Sequence, residues 1–135
     1  MIHSVDSKAL AEQISRIAGE LEKEIAILLQ VNVSEDEAKY GFSRDEVTGV
    51  FGEILKLPNL KLEGLMTVPK FEDDPEKVRP AFAALRELRD QLASAHGAEL
   101  PHLSMGMSHD CRVAIEEGAT LVRVGSAIFG QRDYS

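Results

Sequence analysis

A chain of 135 residues is long enough for one domain with a real core. Its formal charge of −8 argues against a protein that grips nucleic-acid backbones, which needs a basic face, and five Phe, two Tyr and no Trp leave too few rings for a base-stacking platform. The single cysteine, Cys111, excludes an intramolecular disulfide and offers no metal-ligand spacing. No run of about 18 apolar residues is present and the amino terminus lacks a signal pattern, so a cytoplasmic protein with no membrane or nucleic-acid partner is expected.

Residues 2–5 form a short apolar start. Leu10, Ile14, Ile17 and Leu21 then fall at helical spacing, which predicts an amphipathic helix over 7–22. The run 25–33 (IAILLQVNV) is nearly all apolar and partly β-branched, as expected of a strand buried on both faces of a parallel sheet. After a loop over 35–42, Ser43-Arg44-Asp45-Glu46 fits a capping box for a second helix. Residues 62–68 (LEGLMTV) read as the next strand. Asp73-Asp74-Pro75 is a helix start, with Val78, Phe82, Leu85, Leu88 and Leu92 lining the buried face and Gly97 ending the helix. A strand over 102–105, a helix over 108–117 and a strand over 121–124 complete the chain, with at most one helical turn over 127–130.

The β-α-β-α-β-α-β-α-β alternation implies a parallel sheet wrapped by helices, either an open doubly wound sheet or part of a barrel. In both, ligand groups collect at the carboxyl ends of the strands. Two glycine-serine turns fall there. Ser104-Met105-Gly106-Met107-Ser108 and Gly125-Ser126 follow consecutive strands, and small residues before a helix start leave backbone N–H groups free for an anion. Either turn alone reads equally well as a plain turn, and Ser108 as a helix cap. Together they point to a phosphorylated small ligand. Arg123 stands inside an apolar strand, which is costly unless paired; it is either a structural ion pair or a cation aimed at the ligand. The four histidines lack metal spacing, and solvated or capping roles are expected of them. Lys39 and Lys70 follow strands on the ligand side, where surface lysine is the default. Asp73-Asp74 reads as a cap and Cys111 as a packed thiol.

The phrases IHSVDS (2–7), LLQVNVSEDEAKYGF (28–42), GLMTVP (64–69), LSMGMSHD (103–110) and RVGSAIFGQRDYS (123–135) resemble the pyridoxal phosphate homeostasis proteins, the YggS/PROSC family, over essentially the whole chain. The resemblance implies the fold of the alanine racemase N-terminal domain, a (β/α)8 barrel of which this chain would hold strands 4 to 8 as a single domain over 1–135. It implies a carrier or regulator of pyridoxal 5′-phosphate rather than an enzyme. Ser104, Gly106, Ser108, Gly125 and Ser126 would surround the cofactor phosphate, Arg123 would lie beside the pyridine nitrogen, and Met66 and Met107 would pack near the ring. The family's Schiff-base lysine and an asparagine-bearing loop belong to a segment upstream of anything in this sequence, so any cofactor would bind non-covalently. Five strands of eight cannot close a barrel, which implies an oligomer or a separate amino-terminal half. Two alternatives stand beside this reading: an alanine-racemase-like or other barrel enzyme acting on phosphorylated ligands, and a non-binding half-barrel that assembles with another chain.

Overall fold

The structure, a computed structural model, describes residues 1–34, 41–125 and 128. Five strands, β1 (Ile2–Val5), β2 (Ile25–Gln30), β3 (Leu60–Met66), β4 (His102–Met107) and β5 (Leu121–Arg123), alternate with four helices, α1 (Lys8–Glu20), α2 (Arg44–Leu55), α3 (Arg79–His96) and α4 (Cys111–Glu116). The strands are parallel and their order in the sheet is their order in the chain. Each crossover therefore places a helix on the same side of the sheet, and the result is a curled part of a (β/α)8 barrel.

Local chemistry sets most boundaries. Ser7 caps α1 by accepting from the Leu10 N–H, and Ser43 and Glu46 form a reciprocal capping box at α2, together satisfying donors that a helix start leaves open. Gly97 ends α3 in the left-handed conformation at φ 58°. Several boundaries differ from the expected ones: β2 stops at Gln30 rather than 33, β3 spans Leu60–Met66 rather than 62–68, and β4 runs on to Met107 rather than 105; two helix starts also move, for visible reasons. Asp74 caps only a 3₁₀ turn, Pro75–Lys77, and α3 starts afresh after Val78. A helix running on from Pro75 would require an N–H at Pro80 to reach Glu76, and proline has none. Likewise α4 begins at Cys111 rather than 108, because the Asp110 carboxylate takes the Met107 N–H at 2.7 Å and folds 107–110 into a turn first.

Helices and sheet meet in one core. Val5, Ile27, Leu29, Leu65, Leu103 and Met105 from the strands pack with Phe51, Phe82 and Leu85 from the helices, all fully buried. Because side chains alternate along a strand, Leu28, Met66 and Ser104 must point to the opposite face. They do stand outside that cluster, yet Leu28 and Ser104 have no exposed surface and Met66 only 7%. Curl explains this. The His3 ring of β1 lies 2.8 Å from the Ser104 hydroxyl of β4, although three strand spacings of roughly 4.8 Å separate the two in a flat sheet. Only a strongly concave face brings them together.

The tightest point of that curl is Gly64. A side chain there would run into the His102 carbonyl of β4, and a bulge at Glu63 shifts the β2–β3 register between Ile27 and Leu28. Among the described residues no helix is long and apolar enough to cross a membrane.

Candidate functional site

Arg123 is the last residue of β5, and its side chain turns onto the concave face. One guanidinium nitrogen donates to the Ser104 hydroxyl at 2.6 Å and another to the Thr67 carbonyl at 2.8 Å. Thr67, just past β3, is itself held on all sides. Its hydroxyl donates to the Val31 carbonyl at 2.7 Å and its N–H to the Ser104 carbonyl at 3.1 Å. Arg123 thus reaches from the end of β5 across Ser104 within β4 to the residue just past β3. Among the described residues it has no ion-pair partner, so the structural ion pair entertained above is absent from them. Burial pulls its pKa below the ordinary guanidinium value, with the Asp110 carboxylate opposing; an arginine nevertheless stays charged. A half-buried cation held only by neutral oxygens keeps its charge available to a ligand.

The other expected site residues are not all alike. Ser104 is enclosed, and its hydroxyl is committed to Arg123 and His3. Gly106 is buried at φ 99°, where a Cβ would lie 2.6 Å from that of Ala114, so it lets β4 pass close under α4. Met107 is 49% exposed and its N–H is taken by Asp110. Ser108 is half-buried in the turn that follows. Met66 lines the concave face beside Ser104, its register partner. Gly125 is exposed, with open space where a Cβ would project. Ser126 and the expected turn over 127–130, apart from Ile128, lie outside the described residues, as does Lys39; Lys70 is exposed beyond β3.

Two residues that reasoning from sequence missed are central here: Thr67, to which it gave no role, and His3, for which it expected a solvated or capping role. His3 faces inward from β1, and a lone histidine in a short strand carries no signal of that. A third, His109, clasps two loops on the same side of the sheet: its Nε2 donates to the Glu72 and Asp73 carbonyls at 3.0 Å, and its ring packs at a tilt against exposed Phe71, with centroids 5.1 Å apart. Among the described residues no group of acidic, histidine or cysteine side chains is placed to hold a metal ion.

A one-sided curl of parallel strands with helices outside, and a cation at the strand ends with no ion pair among the described residues, defines an α/β protein of the barrel class with its polar face at the carboxyl ends. The chain belongs to the family described as alanine racemase, N-terminal domain, whose model matches residues 1–133. Among curated proteins it is similar to the pyridoxal phosphate homeostasis protein of Aquifex aeolicus, 49% identical over 134 residues that cover 99% of this chain and 59% of that protein. Among solved structures it is similar to PipY of Synechococcus elongatus PCC7942. The form without PLP superposes with a TM-score of 0.90 at 37% identity, and the form with PLP bound with 0.89 at 36%; each comparison covers 96% of this chain and 60% of that one. The chain thus spans about three fifths of the length of these relatives.

Proposed function

We propose that this chain supplies the strand-end half of a pyridoxal 5′-phosphate site in a carrier or regulator of that cofactor, and that it binds the cofactor without a covalent bond. The observation that carries the reading is Arg123, a half-buried guanidinium on the concave face whose hydrogen-bond partners among the described residues are both neutral. The relatives' names and the PLP-bound form of PipY support it.

The donor set suits a phosphorylated aromatic ring. Met66 at the end of β3 and Met107 at the end of β4 offer soft apolar groups, and the open Gly125 lets an anion approach the backbone. Ser108 and Ser126 would add hydroxyl donors beside it. When bound, pyridoxal phosphate supplies an electron-withdrawing ring and a reactive aldehyde. Arg123, which holds its proton through the physiological range, donates hydrogen bonds without giving a proton to a ring nitrogen. That leaves the ring a weak electron sink, which supports a carrier rather than an enzyme. Ser104, being enclosed, acts on the ligand through Arg123.

An absorbance titration of the 135-residue chain with pyridoxal phosphate, followed by borohydride reduction and peptide mapping, tests this. Saturable binding with no lysine trapped, weakened by Arg123→Met, is expected. A cofactor trapped on Lys39 or Lys70 would overturn the non-covalent reading, and no binding by the folded chain would favour the non-binding half-barrel.

A further inference from the structure

We propose that His3 is a positioning residue for Arg123, acting through Ser104 as the final acceptor of a one-way hydrogen-bond relay across the concave face. The relay runs from the Arg123 guanidinium on β5 to the Ser104 hydroxyl on β4 at 2.6 Å, then to Nδ1 of His3 on β1 at 2.8 Å. Its direction follows from counting protons. A serine hydroxyl has one proton to give and two lone pairs to accept with. Arg123 can only donate, so it takes a lone pair of Ser104. Ser104 has no exposed surface, so its own proton cannot go to water. Among the described residues His3 is the one remaining group bonded to its hydroxyl, and leaving that proton unmatched in a buried place carries the full desolvation cost. His3 must therefore be neutral, bare at Nδ1 and protonated at Nε2.

Protonating His3 breaks the relay in two ways. Nδ1 becomes a donor, so two donors converge on the Ser104 oxygen while its own proton loses its acceptor. A second cation also appears beside Arg123. The charged and titratable surroundings favour the neutral ring. His3 is held below the ordinary imidazole value of 6.5 by burial first, then by Arg123, the amino terminus and His102 of β4. Among the described carboxylates, Glu63 of β3 faces His102 at 3.6 Å and Asp110 acts on Arg123, and neither pairs with His3. Acid therefore loosens the serine bridge that sets the guanidinium.

The relay stands without any ligand, whereas its effect on binding rests on the function proposed above. Nitrogen-resolved NMR of the histidine rings across about pH 5 to 8 reads the relay directly. Wild-type chain is expected to show His3 bare at Nδ1 near neutrality, with a midpoint below 6.5; Ser104→Ala should raise that midpoint and release the tautomer. His3 protonated at Nδ1 near neutrality would overturn the proposal. Should Ser104→Ala fail to fold, His3 variants decide. His3→Leu, which has no acceptor, should weaken pyridoxal phosphate binding roughly tenfold at every pH. His3→Gln, whose amide oxygen accepts but does not titrate, should restore affinity and abolish its decline in acid. Equal affinity for the Leu and Gln variants would overturn positioning. Absence of binding in all of them would count against the proposed function, while the ring spectra would still decide the relay.

Discussion

Two arginines, one on each side of the sheet–helix layer, show how this protein uses charge differently on its two faces. On the outside, Arg79 at the start of α3 gathers Glu76 at 2.7 Å, Glu117 at 2.7 Å and Glu116 at 3.1 Å, and Arg86 joins at Glu117. These hydrogen bonds raise Arg79 above its ordinary value and lower Glu117 and Glu76 below theirs. Every charge there is answered, and the cluster does one thing, fastening α4 to α3. On the concave face Arg123 meets a hydroxyl and a carbonyl, which fix its position and leave its charge unspent. Neutral partners orient a cation where carboxylates would consume it, and that contrast is what separates a ligand group from a strut.

Gly64→Ala puts the greatest strain on the shared frame. Its Cβ would meet the His102 carbonyl, forcing apart β3 and β4, the strands that carry both the core residues Leu65 and Leu103 and the concave pair Met66 and Ser104. A loss of about 3 kcal/mol or more is expected in urea unfolding. If the variant were as stable as wild type, the curl would not depend on this contact and the two faces would not share one origin.

Arg123→Met and Arg79→Met, measured together, address the contrast itself. The first should lower pyridoxal phosphate affinity at least tenfold, the loss of a charged hydrogen-bonding group, with little change in melting temperature. The second should do the reverse. It leaves Glu76 and Glu116 without their cation and Glu117 with Arg86 alone, so melting should fall by no more than a few degrees, as suits an exposed network, with affinity unchanged. If both variants lost stability and neither lost affinity, Arg123 would be a strut as well.

Much of this was legible in the residues. The β-α alternation, the capping box at Ser43, the stop at Gly97 and the inward cation at Arg123 all follow from patterns local to a few positions. What was not legible depends on curvature. Ser104 reads as part of a glycine-serine turn, because S-x-G-x-S looks like a phosphate loop; it is instead a buried strand residue, since β4 continues to Met107. Nothing in the sequence says that His3, 101 positions away, will meet it. Nothing in the run 62–68 marks the close contact of Gly64 with β4, and the Glu63 bulge beside it appears only once β2 and β3 are aligned. The break in α3 was closer to hand: Pro75 and Pro80 cannot both stand at the start of one continuous helix.

Acid gives the smallest and most discriminating measure of the two faces, because their titrating groups fall in separate windows. A lowered histidine stabilises the fold fully above its unfolded value of 6.5 and gives that contribution up as the pH drops from there through its depressed folded value. A lowered carboxylate does the same from 4.5 downward, which is where Glu117 and Glu76 act. Melting temperature plotted against pH should therefore decline in two steps, the upper belonging to the concave face and the lower to the outer network. His3→Gln should flatten the upper step alone and Glu117→Gln the lower alone. A single step removed by both variants would mean that the faces titrate as one unit, and the division between the orienting and the fastening arginine would have to be abandoned.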